Sequence, residues 1–244
     1  MLSTRLLKYC NVNRKIHPLV RWTLWGWLIG LAMAAIIFLA GHYLPGKGDG
    51  RHVSNTQMIA VILAWMTRIV VTRTSDMMAA RRLISALSGK PVPTEGSWRS
   101  DWPYCLYLLL CYLSLVFLPY PQAAVTIFAA VPFARMVACQ MVLMLPYRGN
   151  AAEAPQRYST AQGLLLFVLG MTPLVFMLWL SPWLWGHRLD WSWLVFPPCV
   201  VMYALYLLMA RRLRGFTYNG MTCVAAVVEL AFLLTTLLVS LAAN

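Results

Sequence analysis

Long runs of apolar residues, separated by short clusters of Lys and Arg, constrain the fold of this chain more than any other feature. A helix needs roughly 17–25 mostly apolar residues to cross a bilayer. Seven runs approach or reach that length. They cover 22–44, 57–72, 103–119, 123–145, 161–184, 192–210 and 221–242. The sequence therefore predicts an all-α, polytopic membrane helix bundle that forms a single transmembrane domain over residues 1–244.

The composition supports lipid as the main surroundings of the chain. Hydrophobic residues make up 61% of it and charged residues only 11%. A soluble domain carries roughly 25% charged residues to cover its surface. We therefore expect the lipid bilayer to be the first partner of this protein.

The Lys and Arg residues predict the topology. With the N-terminus inside, the inner segments 1–21, 73–102, 146–160 and 211–220 hold 15 of the 20 Lys and Arg residues. The outer loops hold only Lys47, Arg51 and Arg188. This division obeys the positive-inside rule, and it predicts a multi-pass protein of the cell inner (plasma) membrane with a cytoplasmic N-terminus. The net charge of +13 comes without any nucleic-acid-binding motif, so no nucleic-acid partner is predicted.

The cytoplasmic loop 73–102 is the one sizeable aqueous segment of this layout. Within it, the apolar residues of Ser75–Leu87 recur at helical spacing beside the adjacent pair Arg81 and Arg82. That pattern is typical of a short helix lying on the membrane surface.

Three ionisable residues fall inside predicted spans, where a charge is costly and marks a functional candidate. They are Arg68, Arg135 and Glu229. We expect Arg135 to neutralise Glu229 across the bundle, and Arg68, near the inner boundary, to extend its guanidinium to the interface. A structural ion pair and a functional site both remain open for Arg135 and Glu229.

The inner loops also present arginines from three separate places in the chain. Guanidinium groups suit phosphate, so the inner rim is a candidate phosphate-binding surface, and ordinary positive-inside bias is the alternative. The glycine-flanked turn before the last span adds Thr217 and Asn219, either of which would cap the following helix. Metal-assisted phosphoryl chemistry usually needs several carboxylates, and no DxxD or DxD pair is present.

Several short segments resemble cobalamin synthase, the adenosylcobinamide-GDP ribazoletransferase family. Gly215-Phe216-Thr217-Tyr218-Asn219, followed by an apolar helix with Glu229-Leu230-Ala231-Phe232-Leu233-Leu234, is similar to the family's C-terminal turn and helix. Ala134-Arg135 and then Leu145-Pro146-Tyr147-Arg148 resemble its Ser-Arg and Tyr-Arg pieces. Trp65-Met66-Thr67 stands where the family has an apolar strip before its acidic motif.

The resemblance implies a transferase that condenses adenosylcobinamide-GDP with α-ribazole or its phosphate at the inner membrane face, with Mg²⁺ assisting and GMP leaving. It also shows where this chain departs from the family. Val71 and Arg73 replace the histidine and the first aspartate of the acidic motif, and Asn219 replaces the last aspartate. Asp76 is then the candidate catalytic acid, Mg²⁺ binding is largely lost, and the metal ligands are unknown.

Three functional hypotheses follow. The first is a diverged cobalamin-synthase-like protein, with or without transferase activity, that binds a phosphate-bearing small molecule. Its candidate binding residues are Arg73, Arg81, Arg82, Arg148 and Asn219. The second is a non-catalytic assembly or accessory subunit with a protein partner. The third is a small transporter that uses Glu229 and Arg135.

Overall fold

A computed structural model describes residues 17–43, 55–72, 78–82, 98–148 and 158–242. These residues form an all-α bundle, and within them the only extended pairing is one isolated parallel bridge. The helices are α1 Pro18–Tyr43, α2 Asn55–Thr72, α3 Trp98–Val116, α4 Tyr120–Cys139, α5 Met141–Met144, α6 Thr160–Trp185, α7 Trp191–Arg212 and α8 Tyr218–Ala242. The short α5 continues the direction of α4.

Six of these helical segments are long and apolar enough to cross a membrane: α1, α2, α4 with α5, α6, α7 and α8. The apolar part of α3, Trp102–Val116, is shorter. The helices begin and end close to the predicted spans, so the predicted polytopic helix bundle is confirmed. The end of the bundle at which α1 begins, predicted to face the cytoplasm, is called the inner end below, and the opposite end the outer end.

Helix α4 is the axis of the bundle, and α1, α6 and α8 pack against it. Its sequence is rich in alanine, and Ala123, Ala130, Ala134 and Ala138 are all buried. Small side chains allow helices to approach closely inside a membrane. Gly26 of α1 is an example, because a Cβ there would lie 3.2 Å from the Cα of Pro132.

Local sequence signals define several helix ends. Ser159 accepts a hydrogen bond from the Gln162 backbone N–H at 3.4 Å, and the Ser159 N–H donates to the Gln162 side chain, which forms a capping box for α6. Gly186, with φ 72°, ends that helix in the left-handed region. The predicted cap at Thr217 is confirmed, since its hydroxyl accepts from the Gly220 N–H at 3.2 Å.

The predicted surface helix is only partly described. Residues 78–82 are helical, while the rest of Ser75–Leu87 lies outside the described residues. The adjacent arginines do not share one surface, because Arg81 is buried and Arg82 is exposed. Arg81 therefore packs into the protein, and the surface helix over Ser75–Leu87 stays a prediction.

Candidate functional site

Two buried charges form an ion pair between α2 and α8. Arg68 donates a hydrogen bond from its guanidinium to the Glu229 carboxylate. The two residues are 5% and 2% exposed. Two predictions are thereby wrong: Arg68 does not reach the interface, and the partner of Glu229 is Arg68 rather than Arg135. The position of Arg68 around the axis of α2 explains why both predictions failed, because it turns the side chain towards α8 and into the bundle.

Each of the two intramembrane arginines lies over a tryptophan ring. The guanidinium carbon of Arg68 is 4.8 Å from the ring centroid of Trp65, one turn earlier on α2. That of Arg135 is 5.5 Å from the ring centroid of Trp22. Arg135 also donates to the Trp22 carbonyl oxygen at 2.8 Å. Because the face of an indole ring attracts cations, the two tryptophan rings help to orient both guanidinium groups.

These side chains surround one small cavity near the inner end. Its lining comprises Trp22, Arg68, Arg135, Thr222, Ala225, Ala226 and Glu229. The cavity measures about 20 Å³, which is room for roughly one water molecule. Trp22, Arg135, Thr222 and Ala226 are half-exposed and form its mouth, whereas Arg68 and Glu229 are buried at its base.

The charges of this lining do not balance. Two guanidinium groups face a single carboxylate among the described lining residues, so the lining carries an excess of one positive charge. Guanidinium groups attract anions by charge and by hydrogen bonding, so an anion at the mouth would be drawn to Arg135. The arrangement is therefore suited to binding an anionic group that enters beside Trp22 and Arg135.

At the inner end, a short backbone pairing joins two inner loops. The Arg148 N–H donates to the Phe216 carbonyl and the Phe216 N–H donates to the Pro146 carbonyl, each at 2.9 Å. Gly215 makes this approach possible, because a Cβ there would lie 2.5 Å from the Pro146 oxygen. The pairing places the exposed side chains of Arg148 and Arg214 at the same edge of the inner face, and Arg148 Nε donates to the Arg214 carbonyl at 3.4 Å.

The predicted phosphate-binding residues that the structure describes do not line the cavity. Arg73 and Asp76 lie outside the described residues. Of the others, Arg82 and Arg148 are exposed and Asn219 is half-exposed in the first turn of α8. None of these three belongs to the cavity lining, so the site differs from the predicted rim of loop arginines.

Two aromatic residues of the site were missed by sequence reasoning. Trp22 stands at a span boundary, where a tryptophan is ordinarily explained by the membrane interface. Trp65 lies three residues before Arg68, and this spacing places both side chains on one helix face. A tryptophan one turn from an intramembrane arginine was thus the sequence signal that could have identified Trp65 as part of the site.

Tyr158 lies at the inner end, just before α6 and outside the spans. Its ring makes an edge contact with His17 at a centroid distance of 6.0 Å, and its hydroxyl lies 3.5 Å from the Gln140 side-chain oxygen. Burial raises the pKa of Tyr158 to about 12. The phenol therefore stays neutral and adds no charge to the inner end at neutral pH.

Comparisons of the chain with protein-family models, with curated proteins and with solved structures found no match. The class of protein rests on the fold: a multi-pass, all-α membrane helix bundle.

Proposed function

We propose that this membrane protein binds a phosphate group of an amphiphilic molecule at its inner-end cavity. The observation that carries the proposal is a pair of arginines, Arg68 and Arg135, that line one cavity, with Glu229 as the one carboxylate among the described lining residues. Guanidinium forks match phosphate oxygens in geometry as well as in charge. The half-exposed mouth beside Trp22 and Arg135 gives a ligand an approach from the membrane interface.

Arg135 is the first binding residue in this proposal. A guanidinium carries five N–H donors in a fixed fork, so Arg135 can hold the Trp22 carbonyl and one edge of a phosphate at the same time. The Trp22 ring keeps the side chain at the mouth. The cavity has room for about one oxygen-sized group, so the remaining phosphate oxygens would lie outside it.

The resemblance to cobalamin synthase supplies a candidate reaction for this binding site. A substrate such as adenosylcobinamide-GDP presents phosphates on a large amphiphilic molecule, and the inner face would receive it. In that proposal Asp76 assists the transfer. Among the described residues no cluster of His, Cys, Asp or Glu could hold Mg²⁺. Arg73, Arg82, Arg148 and Asn219 would bind the more distant parts of the substrate.

Phosphate binding is tested on the purified full chain in two arms. The first compares its thermal stability in nanodiscs of phosphatidylcholine alone and with phosphatidic acid, and the second adds GMP, GDP or inorganic phosphate in zwitterionic lipid. A ligand that binds the folded chain raises its apparent stability. We expect a rise in at least one arm, and the arm identifies a lipid or a soluble source of the phosphate.

Two variants distinguish phosphate binding at the cavity from general attraction of phosphate to the cationic inner face. Arg135→Gln removes the charge at the mouth and should abolish the stabilisation by phosphate. Arg211→Gln removes an exposed charge from the same membrane face, outside the cavity lining, and should preserve it. An equal loss in both variants would contradict a specific site.

The proposed reaction has its own test. Mg²⁺-dependent release of GMP from adenosylcobinamide-GDP by the purified protein, abolished by Asp76→Ala, would support the transferase. A chain that binds phosphate without releasing GMP would be a binding protein. A chain that does neither, and co-purifies with a fixed partner in mild detergent, would fit an assembly subunit instead.

A further inference from the structure

We infer that Arg68 is a second phosphate-binding residue of the inner cavity, and that Glu229 is a built-in competitor that a bound phosphate displaces from it. The inference rests on the proposed phosphate binding and adds to it an exchange of partners at the base of the cavity. It is carried by the size of the cavity, the two tryptophan contacts and the charge of the lining.

The size of the cavity limits what it can bind. A cavity of about 20 Å³ accepts roughly one water-sized group, which is less than a whole phosphate. Glu229 is the acidic residue of this lining, and its carboxylate fills the base against Arg68. Movement of that carboxylate would both enlarge the cavity and release hydrogen-bond donors to an incoming anion.

A tryptophan ring also helps to position Arg68. Trp65 lies against its guanidinium at a centroid distance of 4.8 Å, so the cation keeps its position when the carboxylate leaves. Arg135 has the same relation to Trp22. Each of the two arginines thus lies over a tryptophan ring, and Arg68 also donates to the Glu229 carboxylate.

Glu229 also affects phosphate binding through its charge. A phosphate entering beside Arg135 would meet the negative charge of Glu229, and like charges at close range oppose binding. Replacing Glu229 by glutamine keeps a side chain of the same shape and an oxygen that accepts from Arg68. The replacement raises the charge of the described lining by one unit, so phosphate affinity should increase.

The experiment measures binding of the same phosphate probe, phosphatidic acid or GMP, to the wild-type chain and to Glu229→Gln. We expect about tenfold tighter binding by the variant, within the range of ordinary coupling energies between sites. Arg68→Gln should weaken binding, because it removes the second guanidinium. Equal or weaker binding by Glu229→Gln would overturn the competition.

A measurement on the wild-type chain covers the case in which Glu229→Gln fails to fold. Dicyclohexylcarbodiimide reacts with protonated carboxyl groups inside membranes, and mass spectrometry of the Glu229 peptide follows the reaction. A phosphate that displaces Glu229 from Arg68 should increase this labelling several-fold, and unchanged or reduced labelling would contradict the exchange.

The outcomes also separate this inference from the proposed function. A wild-type chain that responds to phosphate, with no gain in Glu229→Gln, would retain phosphate binding and overturn only the competition. The absence of any response in both chains would overturn phosphate binding itself. A response confined to Glu229→Gln would show that the carboxylate blocks the site in the wild-type chain.

Discussion

The two ends of the bundle both bury polar side chains, and they use different kinds of group. At the outer end, Gln57 donates to carbonyl oxygens at the end of α3, those of Leu115 at 3.3 Å, Val116 at 2.9 Å and Leu118. Gln122 similarly donates to the Leu184 carbonyl at 2.8 Å. At the inner end, the polar groups that line the cavity are charged: Arg68 and Glu229 are buried, and Arg135 is half-exposed.

This difference distinguishes neutral polar groups that stabilise a helix end from charged groups that contribute little to stability. A neutral amide that donates to backbone carbonyls stabilises a helix end, where the last carbonyls lack partners within the helix. A buried ion pair is a weak source of stability, since apolar residues of similar volume often serve as well or better. The ion pair at the inner end therefore contributes little to stability in itself, and the proposed phosphate binding would give these charges a role.

The largest expected effect comes from breaking the ion pair on one side. Arg68→Met leaves the Glu229 carboxylate buried without its guanidinium, which typically costs about 3–5 kcal/mol. Reversible unfolding in mixed detergent micelles measures the loss. The double variant Arg68→Met, Glu229→Leu is the control, and it should recover most of the stability while phosphate binding stays low. A double variant as unstable as the single one would make the pair a structural requirement.

The next largest effect is expected from a change in the packing of α6 against α4. Helix α4 carries Gln122 at the outer end and Arg135 at the inner end. In Gly170→Ala the new Cβ would lie 2.3 Å from the Cβ of Met136, so the two helices must separate. Overpacking of this kind costs about 1–3 kcal/mol. Because Met136 adjoins Arg135, we expect a weaker phosphate response together with the lower stability.

Gly163→Ala is the matched control on the same helix. Its new Cβ would lie 3.1 Å from the Cε2 atom of the Tyr158 ring, a milder contact with a side chain at the edge of the bundle. Both substitutions gain the same intrinsic helix propensity. The difference between their unfolding free energies therefore reports the contact with Met136, and equal values would mean that α4 and α6 separate at little cost.

The sequence predicted the helices and the residues of interest better than it predicted their partners. Hydropathy located the spans because a bilayer imposes a fixed length on each helix. Arg68, Arg135 and Glu229 were all identified as intramembrane charges, and all three line the cavity. The pairing of Glu229 with Arg68 could not be predicted, since it depends on the rotation and crossing of α2 and α8, which hydropathy does not determine.

Gln57 illustrates the same limit at the outer end and gives the smallest expected effect. It stands at the beginning of a predicted span, where nothing in the sequence indicates that it reaches α3. Gln57→Leu removes the donor for the last carbonyls of α3 and should cost about 1 kcal/mol, the usual net value of one hydrogen bond. Thr67→Val on the same helix is the control, because its hydroxyl donates only to the Leu63 carbonyl one turn earlier. Unfolding in mixed micelles should show the loss for Gln57→Leu alone, with phosphate binding unchanged in both variants. A loss of phosphate binding in Gln57→Leu would mean that the outer end also controls the site, and the contrast between the two ends would no longer hold.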